Sequence, residues 1–539
     1  MSITRQLIVL IVALAAACPA FAEAAGDVER LGTVHFPISC ASTQQAGFDR
    51  GVALVHDFWY EEAQRQFEQI LRDDPTCAIA HWGTAMSIFH QIWNRPSDAT
   101  MAQGWAELRK AESPAARTER ERDYIAALSV FYRPGPAKFP ERVSAYTAAM
   151  DALRARYPDD VDAAAFYALA LLADTAPDDL SLVKQRKALG LMLPLFDKFP
   201  DHPGVIHYII HAADYPALAP QALLAAQRYA VVAPSGAHAD HMGGHIFARL
   251  GMWADDIRVN LLAVEAARKL AQTNRGGGFD QLHPDDFLLY AYLQSGQDDA
   301  AKALLDEAGA ILQHMASMPG MVEDGMEAMV PSYQTELPLF HALERREWSA
   351  VAALPPVAGA PADVQLMTTW GHAIAFGHLK DTAAARANLD RYEALMEEVK
   401  KGPRAYGLDG KYAQIYTGTI VAWTEYAQGH LESALHLMRQ TADLQDTVGQ
   451  GEVDIPAREM LADMLLESGR ASEALVEYEI DLQLSPNRFN GLYNAGRAAE
   501  AAGDLPRARK HYATLLQVTD NGARSRRPEI ARAKALVAR

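Results

Sequence analysis

Residues 467–486, ESGRASEALVEYEIDLQLSP, and residues 501–518, AAGDLPRARKHYATLLQV, carry one pattern twice. Ala474 and Tyr478 return as Ala508 and Tyr512, a shift of 34 at both positions. Each copy holds an apolar helical stretch, a turn with glycine (Gly469, Gly503) and a second helix with a small residue four before an aromatic. Positions four apart share one helix face. The small residue lets the two helices of a hairpin approach closely, and the aromatic fills the groove beside it. A hairpin of this size cannot bury its apolar face alone, so such units stack into an array.

The same grammar opens the chain. In residues 46–75, AGFDRGVALVHDFWYEEAQRQFEQILRDDP, Gly51, Ala63, Phe67 and Pro75 fall at the repeat spacing, and Pro75 closes the hairpin. Looser copies follow, with Gly251 in RLGMWADDIRVNLL, Gly296, Ala300 and Leu304 in AYLQSGQDDAAKALLDEA, and Gly429, Ala434 and Met438 in YAQGHLESALHLM. The period loosens between 100 and 450, since Ala434 and Ala474 stand 40 apart. Almost no segment alternates with period two, whereas apolar residues recur at three and four nearly throughout. The expected fold is therefore all-α, a solenoid of stacked helical hairpins. Breakers at Pro134-Gly135-Pro136, at Asn274-Arg275-Gly276-Gly277-Gly278 and at Leu354–Pro361 are too short to force independent domains.

These features resemble the tetratricopeptide-repeat superfamily, strongly over the last 80 or so residues and over 46–90. The blocks FWYEEAQRQF, DPTCAIAHWGTAMS, HYIIHAADYP, HADHMGGHIFARLGMW, LLYAYLQSGQ and SPNRFNGLYNAGRAAE are also similar to a group of exported bacterial repeat proteins that mostly lack an assigned activity. That group carries histidine at the positions of His207, His211, His238, His241 and His245. It usually has Pro-Ser where this chain has Gly243-Gly244, which leaves the local backbone to be seen.

At 539 residues the chain exceeds what one core can hold, about 250–300 residues, and an array meets that limit. Half its residues are apolar and 22% charged, which excludes a disordered chain. With 68 acidic against 50 basic side chains the net charge is −18, so nucleic acid and anionic membranes are not expected partners. Residues 1–22, MSITRQLIVLIVALAAACPAFA, place Arg5 before an apolar run from Leu7 to Ala17 and end in Ala20-Phe21-Ala22. This reads as an export signal cut after Ala22, for a periplasmic or secreted protein. The alternative, a lipoprotein anchored at Cys18, lacks the usual Leu three residues earlier. No other stretch is apolar over the length a spanning helix needs. The expected layout is a leader at 1–22, a lead-in at 23–45, repeats with a His-rich centre at 46–270, degenerate repeats at 271–455 and a repeat pair at 456–539.

Removing the leader takes away its one charge, Arg5, and leaves −19 with two cysteines, Cys40 and Cys77. They precede successive hairpins, and equivalent points of successive repeats lie at one end of an array. In an oxidising compartment one disulfide is expected, the alternative being two buried thiols.

Histidine is the chemical anomaly. Six of eighteen fall between 202 and 245, namely His202, His207, His211, His238, His241 and His245. His207 and His211 are i, i+4, while His238, His241 and His245 are i, i+3, i+7, so each set shares a helix face. Neutral imidazoles at this spacing suit Zn, Cu, Ni or Fe. Asp214 and Asp240 are candidate ligands or acceptors that fix a ring tautomer. The bland alternative is a hydrogen-bonded polar core in a helix bent at Gly243-Gly244. His283 is a weaker candidate from the next hairpin, and His56, His81 and His90, beside Trp59, Trp82 and Trp93, read as an aromatic-rich packed start. Arg458 and Glu459 form a charged pair at a helix start.

No GxxxxGK[ST], GxSxG, CxxC or HExxH occurs, which removes the main support for nucleotide-hydrolase, α/β-hydrolase, thioredoxin-like and zincin readings. Two functions remain. One is an interaction scaffold whose concave face binds a protein or peptide segment, basic or neutral given the charge. The other is a metal-binding protein or metalloenzyme with His207, His211, His241 and His245 as ligands and His238 as a fifth ligand or proton carrier.

Overall fold

Gly251, Gly296, Gly429, Gly469 and Gly503 all adopt φ between +61° and +83°, the left-handed conformation that ends one helix and launches the next. In the computed structural model these turns join antiparallel neighbours such as Lys411–Ala427 with Leu431–Val448, Ala457–Glu467 with Ala471–Leu484, and Phe489–Ala501 with Leu505–Val518. The structure describes residues 29–538 except 93–94, 113–117, 177–178, 273–277, 318–327, 402–409, 450 and 452. The leader with Cys18, Trp93 and loop residues 274–277 thus lie outside the described residues. Those described contain no strand, and the fold is an all-α stack of helical hairpins. Among them no helix is long and apolar enough to cross a membrane.

The small-then-aromatic rule is visible in the packing. Ala474, Tyr478, Ala508 and Tyr512 are all fully buried. A Cβ on Gly496 would sit 2.5 Å from the Tyr512 ring, so the bare backbone makes room for it. At the other end, Gly51 is not a turn but lies inside the Gln45–His56 helix. Cβ atoms on Gly51 and Gly83 would stand 2.7 and 2.4 Å from Phe67, which the two helices clamp between them.

The array does not run on as an open line of neighbours. It returns on itself twice. First, Gln45–His56 packs on Pro203–Ala213, some 150 residues later, with the His56 ring filling the space a Cβ on Gly204 would take. The lead-in follows it. Thr33 N donates to Asp201 O at 2.8 Å, and Phe36 is buried among Phe48, Trp82 and Tyr124. The Cys40 and Cys77 sulfurs are bonded, with Cα atoms 4.9 Å apart, one before the first helix and one at the start of Ala78–Ser87.

Second, the C-terminal hairpins return to the segment 248–298. Trp253 Nε1 donates to Asn487 O at 2.8 Å, Asn487 Nδ2 donates to Gly251 O at 3.1 Å, and Arg527 pairs with Asp298 at 2.6 Å. At the centre of this return lies Arg488, 1% exposed. Its Nε donates to Glu459 at 2.8 Å, Nη2 to Glu344 at 2.9 Å, and Nη1 to Asp454 O at 2.8 Å and to the Tyr290 hydroxyl. Burial opposes the guanidinium charge, but Glu344 and Glu459 outweigh it and hold the charge in place. Arg458 and Glu459 are likewise structural: Arg458 pairs with Asp443, Asp446 and Glu477.

Asp454 beside this hub gives a pH signature. Burial raises its carboxyl from 3.8 to about 6, against the opposing Ile455 N–H bond and the Arg488 charge. A raised acid favours folding below its unfolded value, and the contribution is lost as pH climbs through about 6. We expect Asp454→Asn to gain about 2–3 kcal/mol relative to the parent between pH 4 and pH 7.5, read from urea midpoints at both values. A pH-independent difference would contradict the assignment.

Candidate metal centre

The helix Pro203–Ala213 starts with Pro203 at its first turn and His202 as cap, whose Nδ1 accepts from Val205 N at 3.3 Å. One turn apart on it stand His207 and His211. The HADHMGGH segment forms two short helices, Ala237–His241 and Gly243–Arg249, joined through Met242 in helical conformation. The junction falls at Met242, and the glycine pair lies in the first turn of the second helix. It serves close approach: a Cβ on Gly243 would meet Ala226 O at 2.8 Å, and one on Gly244 would meet Asn260 and Asp256 at 2.9 Å.

The five expected histidines do not converge on one point. They sort into two groups, and a sixth joins. His207, His211 and His238 form one triad, and His241, His245 and His283 form another, with ligand nitrogens in each within 4.8 Å of one another. Both have a similar plan: an i, i+4 pair, on one helix for His207 and His211 and across the Met242 junction for His241 and His245, plus one ring from another helix. His283 comes from Gly278–Gln294, which packs on Trp253–Gln272. The triads abut, with ring centroids 6.3 Å apart for His211 and His245 and 6.2 Å for His238 and His241. Each has its own phenylalanine. Phe58 lies 4.3, 5.5 and 5.6 Å from His207, His211 and His238, and Phe287 lies 4.8, 4.7 and 5.6 Å from His241, His245 and His283.

Hydrogen bonds fix three tautomers. His207 Nδ1 is 2.5 Å from the His56 carbonyl, an acceptor only, so Nδ1 carries the proton and Nε2 the lone pair. Asn260 Nδ2 donates to the Asp256 carbonyl at 2.9 Å, which turns its Oδ1 toward His241 Nδ1 at 2.6 Å. His245 Nδ1 donates to Asp214 Oδ2 at 3.0 Å, and Arg249 holds the other carboxylate oxygen at 3.0 Å. The Nε2 atoms of His241 and His245 then face each other at 3.0 Å. In the other triad the Nε2 atoms of His207 and His238 are 3.2 Å apart. Burial pushes His207 down to about 3, despite the bond to the His56 carbonyl. Burial, with the neighbouring rings, also drives His238 well below the ordinary histidine range. At neutral pH both are uncharged imidazoles, and His207 Nε2 is an acceptor facing His238 Nε2.

A third group, His56, Asp162 and His202, meets the same distance test but has another character. All three side chains are 0–3% exposed. Asp162 Oδ1 takes His56 Nε2 at 3.0 Å and His202 Nε2 at 3.3 Å, His56 Nδ1 meets the Tyr208 hydroxyl at 2.9 Å, and His202 Nδ1 is used by the helix cap. Every ring nitrogen has a partner of the right kind, so this is a hydrogen-bonded core that sets the His56 carbonyl under His207. His81 pairs with Glu107 at 2.7 Å and His90 stacks on Tyr60 at 4.3 Å, so neither belongs to the triads. Asp240 bonds none of the six rings, and burial raises its carboxyl to about 8.

Sequence spacing reveals the helix faces but not Phe58, Asn260, Arg249 or Phe287. For the second triad the sequence offers the i, i+4 pair His241 and His245 and, from the next hairpin, His283 with Phe287 four residues on.

No family model and no curated protein sequence matches the chain. Among solved structures it is similar to the Cut9 and Hcn1 hetero-tetramer of APC/C (9% identity, 78% of this chain and 76% of that one, TM-score 0.34). It is also similar to the human IFIT1 dimer with m7Gppp-AAAA (13% identity, 82% and 90%, TM-score 0.34). A third is the P58(IPK) TPR domain (13% identity, 78% and 99%, TM-score 0.21).

Proposed function

We propose that the chain is an exported metal-binding protein in which two three-imidazole sites lie side by side. The observation that carries this reading is the His241–His245 pair. Their Nε2 atoms stand 3.0 Å apart, and with both rings held from behind through Nδ1 the two can turn these nitrogens on one cation. Ligating histidines characteristically donate the other ring N–H to a carbonyl or carboxylate, as His207, His241 and His245 do. The rings need only small rotations to close on an ion, given metal–nitrogen bonds of about 2.0–2.1 Å. Three ligands per ion leave a position open for water or a small molecule. Export is supported by residues 1–22 and by the Cys40–Cys77 bond, which suits an oxidising compartment.

Metal content by mass spectrometry, on protein purified without a nickel column, tests it. We expect two ions per chain in the parent, one in His207→Ala, one in His245→Ala and none in the double variant. Sub-stoichiometric metal in the parent, or unchanged metal in both single variants, rejects the reading.

The stacked hairpins also support a role as a protein-interaction scaffold, with a concave face holding a peptide or protein segment. In its favour, Leu224 and Val231 are 70% and 65% exposed and stand seven apart on Leu223–Val232. If the parent and a Leu224→Asp/Val231→Asp variant recover the same proteins from an exported-protein extract, that surface is not the binding one.

A further inference from the structure

Resting on the metal reading above, we infer that the two triads form one coupled centre that holds two copper ions and, when both are Cu(I), takes up dioxygen between them. Three features of the triads point to it. The first is the donor set. All six ring ligands are imidazoles, with no carboxylate or thiolate among them, which disfavours hard ions such as Mg and Ca and suits copper, the tightest first-row divalent ion for nitrogen donors.

The second is charge. Neutral imidazoles bring none, and the Asp214 carboxylate bonded to His245 is already engaged by Arg249 as well. Two Zn²⁺ would bring four positive charges against the Phe58 and Phe287 rings. Two Cu⁺ bring half that, and a low-dielectric wall favours the smaller charge.

The third is pairing. Each triad supplies three ligands, one fewer than a four-coordinate ion takes, and the triads meet edge to edge at His211–His245 and His238–His241. One diatomic ligand can therefore bridge the two open positions. Phe58 and Phe287 cover one side of each triad, while His207 and His241 are buried and the other four rings are partly exposed.

The step balances without a further reactant. Each Cu(I) gives one electron, dioxygen receives two and becomes bridging peroxide, the O–O bond is kept, and no proton moves. Release of dioxygen returns both electrons.

The experiment loads metal-free protein with Cu(I) under anaerobic conditions and then admits dioxygen. The expected result is one O₂ consumed per two copper, a new peroxide-to-copper charge-transfer band in the near ultraviolet, and little electron paramagnetic resonance signal, because the two Cu(II) spins couple. His283→Ala, its helix content checked by circular dichroism, should keep one copper and lose the band, and His238→Ala should do the same from the other side. Two copper bound with full, uncoupled Cu(II) signals and no band overturns the inference but leaves the metal reading standing. Retention of O₂ uptake in both single-site variants also overturns it. Failure of both Cu(I) and Zn(II) to reach two per chain overturns both readings.

Discussion

Replacing Arg488 by Met is expected to cost about 3–5 kcal/mol, the effect of stranding a buried charge by removing its partner. Glu344 and Glu459 are 1% and 2% exposed and lie 144 and 29 residues away in sequence. Without the guanidinium both buried carboxylates lose their main counter-charge, Glu344 keeping only Asn490 Nδ2 at 3.0 Å and Glu459 only the more distant Arg346 at 3.7 Å among the contacts described. All five N–H donors of Arg488 are used, so no other cation can take over the same geometry. Adding Glu344→Gln and Glu459→Gln removes the stranded charges, and most of the loss should return. Urea unfolding of the single and triple variants at pH 4.5 and 7.5 measures both claims. A single variant within 1 kcal/mol of the parent at neutral pH would show that the hub is not what fastens the second return.

Removing the Cys40–Cys77 bond is expected to cost about 4 kcal/mol, since it closes a loop with a sequence separation of 37. The loss should appear both on reduction of the parent and in Cys40→Ala/Cys77→Ala. It also has a local consequence. The bond anchors the segment leading into Gln45–His56, and the carbonyl of His56 holds His207 Nδ1. Loosening this helix should weaken the His207, His211, His238 triad more than the His241, His245, His283 triad, whose supports are Asn260 and Asp214. Metal titration of the disulfide-free variant should therefore show one strong and one weakened site. Equal weakening of both would mean that the bond acts on the whole array.

The hairpins were legible because their cause is local. A 3.6-residue period, a glycine at each turn and a small residue four before an aromatic need only neighbouring residues to act. Gly251, Gly296, Gly429, Gly469 and Gly503 were readable as turns for that reason, and each is left-handed. Gly51 fits the same spacing but serves close packing on Phe67, a distinction that depends on which helix lies opposite.

The histidine faces were legible in the same way, and their grouping was not. His238, His241 and His245 share a face by spacing, yet His238 joins His207 and His211 while its neighbours join His283. Spacing fixes the direction in which a side chain leaves its helix. It says nothing of what stands opposite. The Asn260 amide, the Asp214 carboxylate and the two phenylalanines come from other helices, and no periodicity links them to the rings they hold.

By itself the sequence determined an all-α chain of stacked hairpins, where the turns fall, and which histidines lie on a common helix face. Tertiary structure alone decided that the array returns on itself, at His56 with Gly204 and at Arg488 with Glu344, and that six imidazoles divide three and three. The physical reason is range. Helix and turn preferences act over a few residues, whereas contacts spanning some 150 residues exist only once packing, burial and charge pairing have chosen one closure of the array.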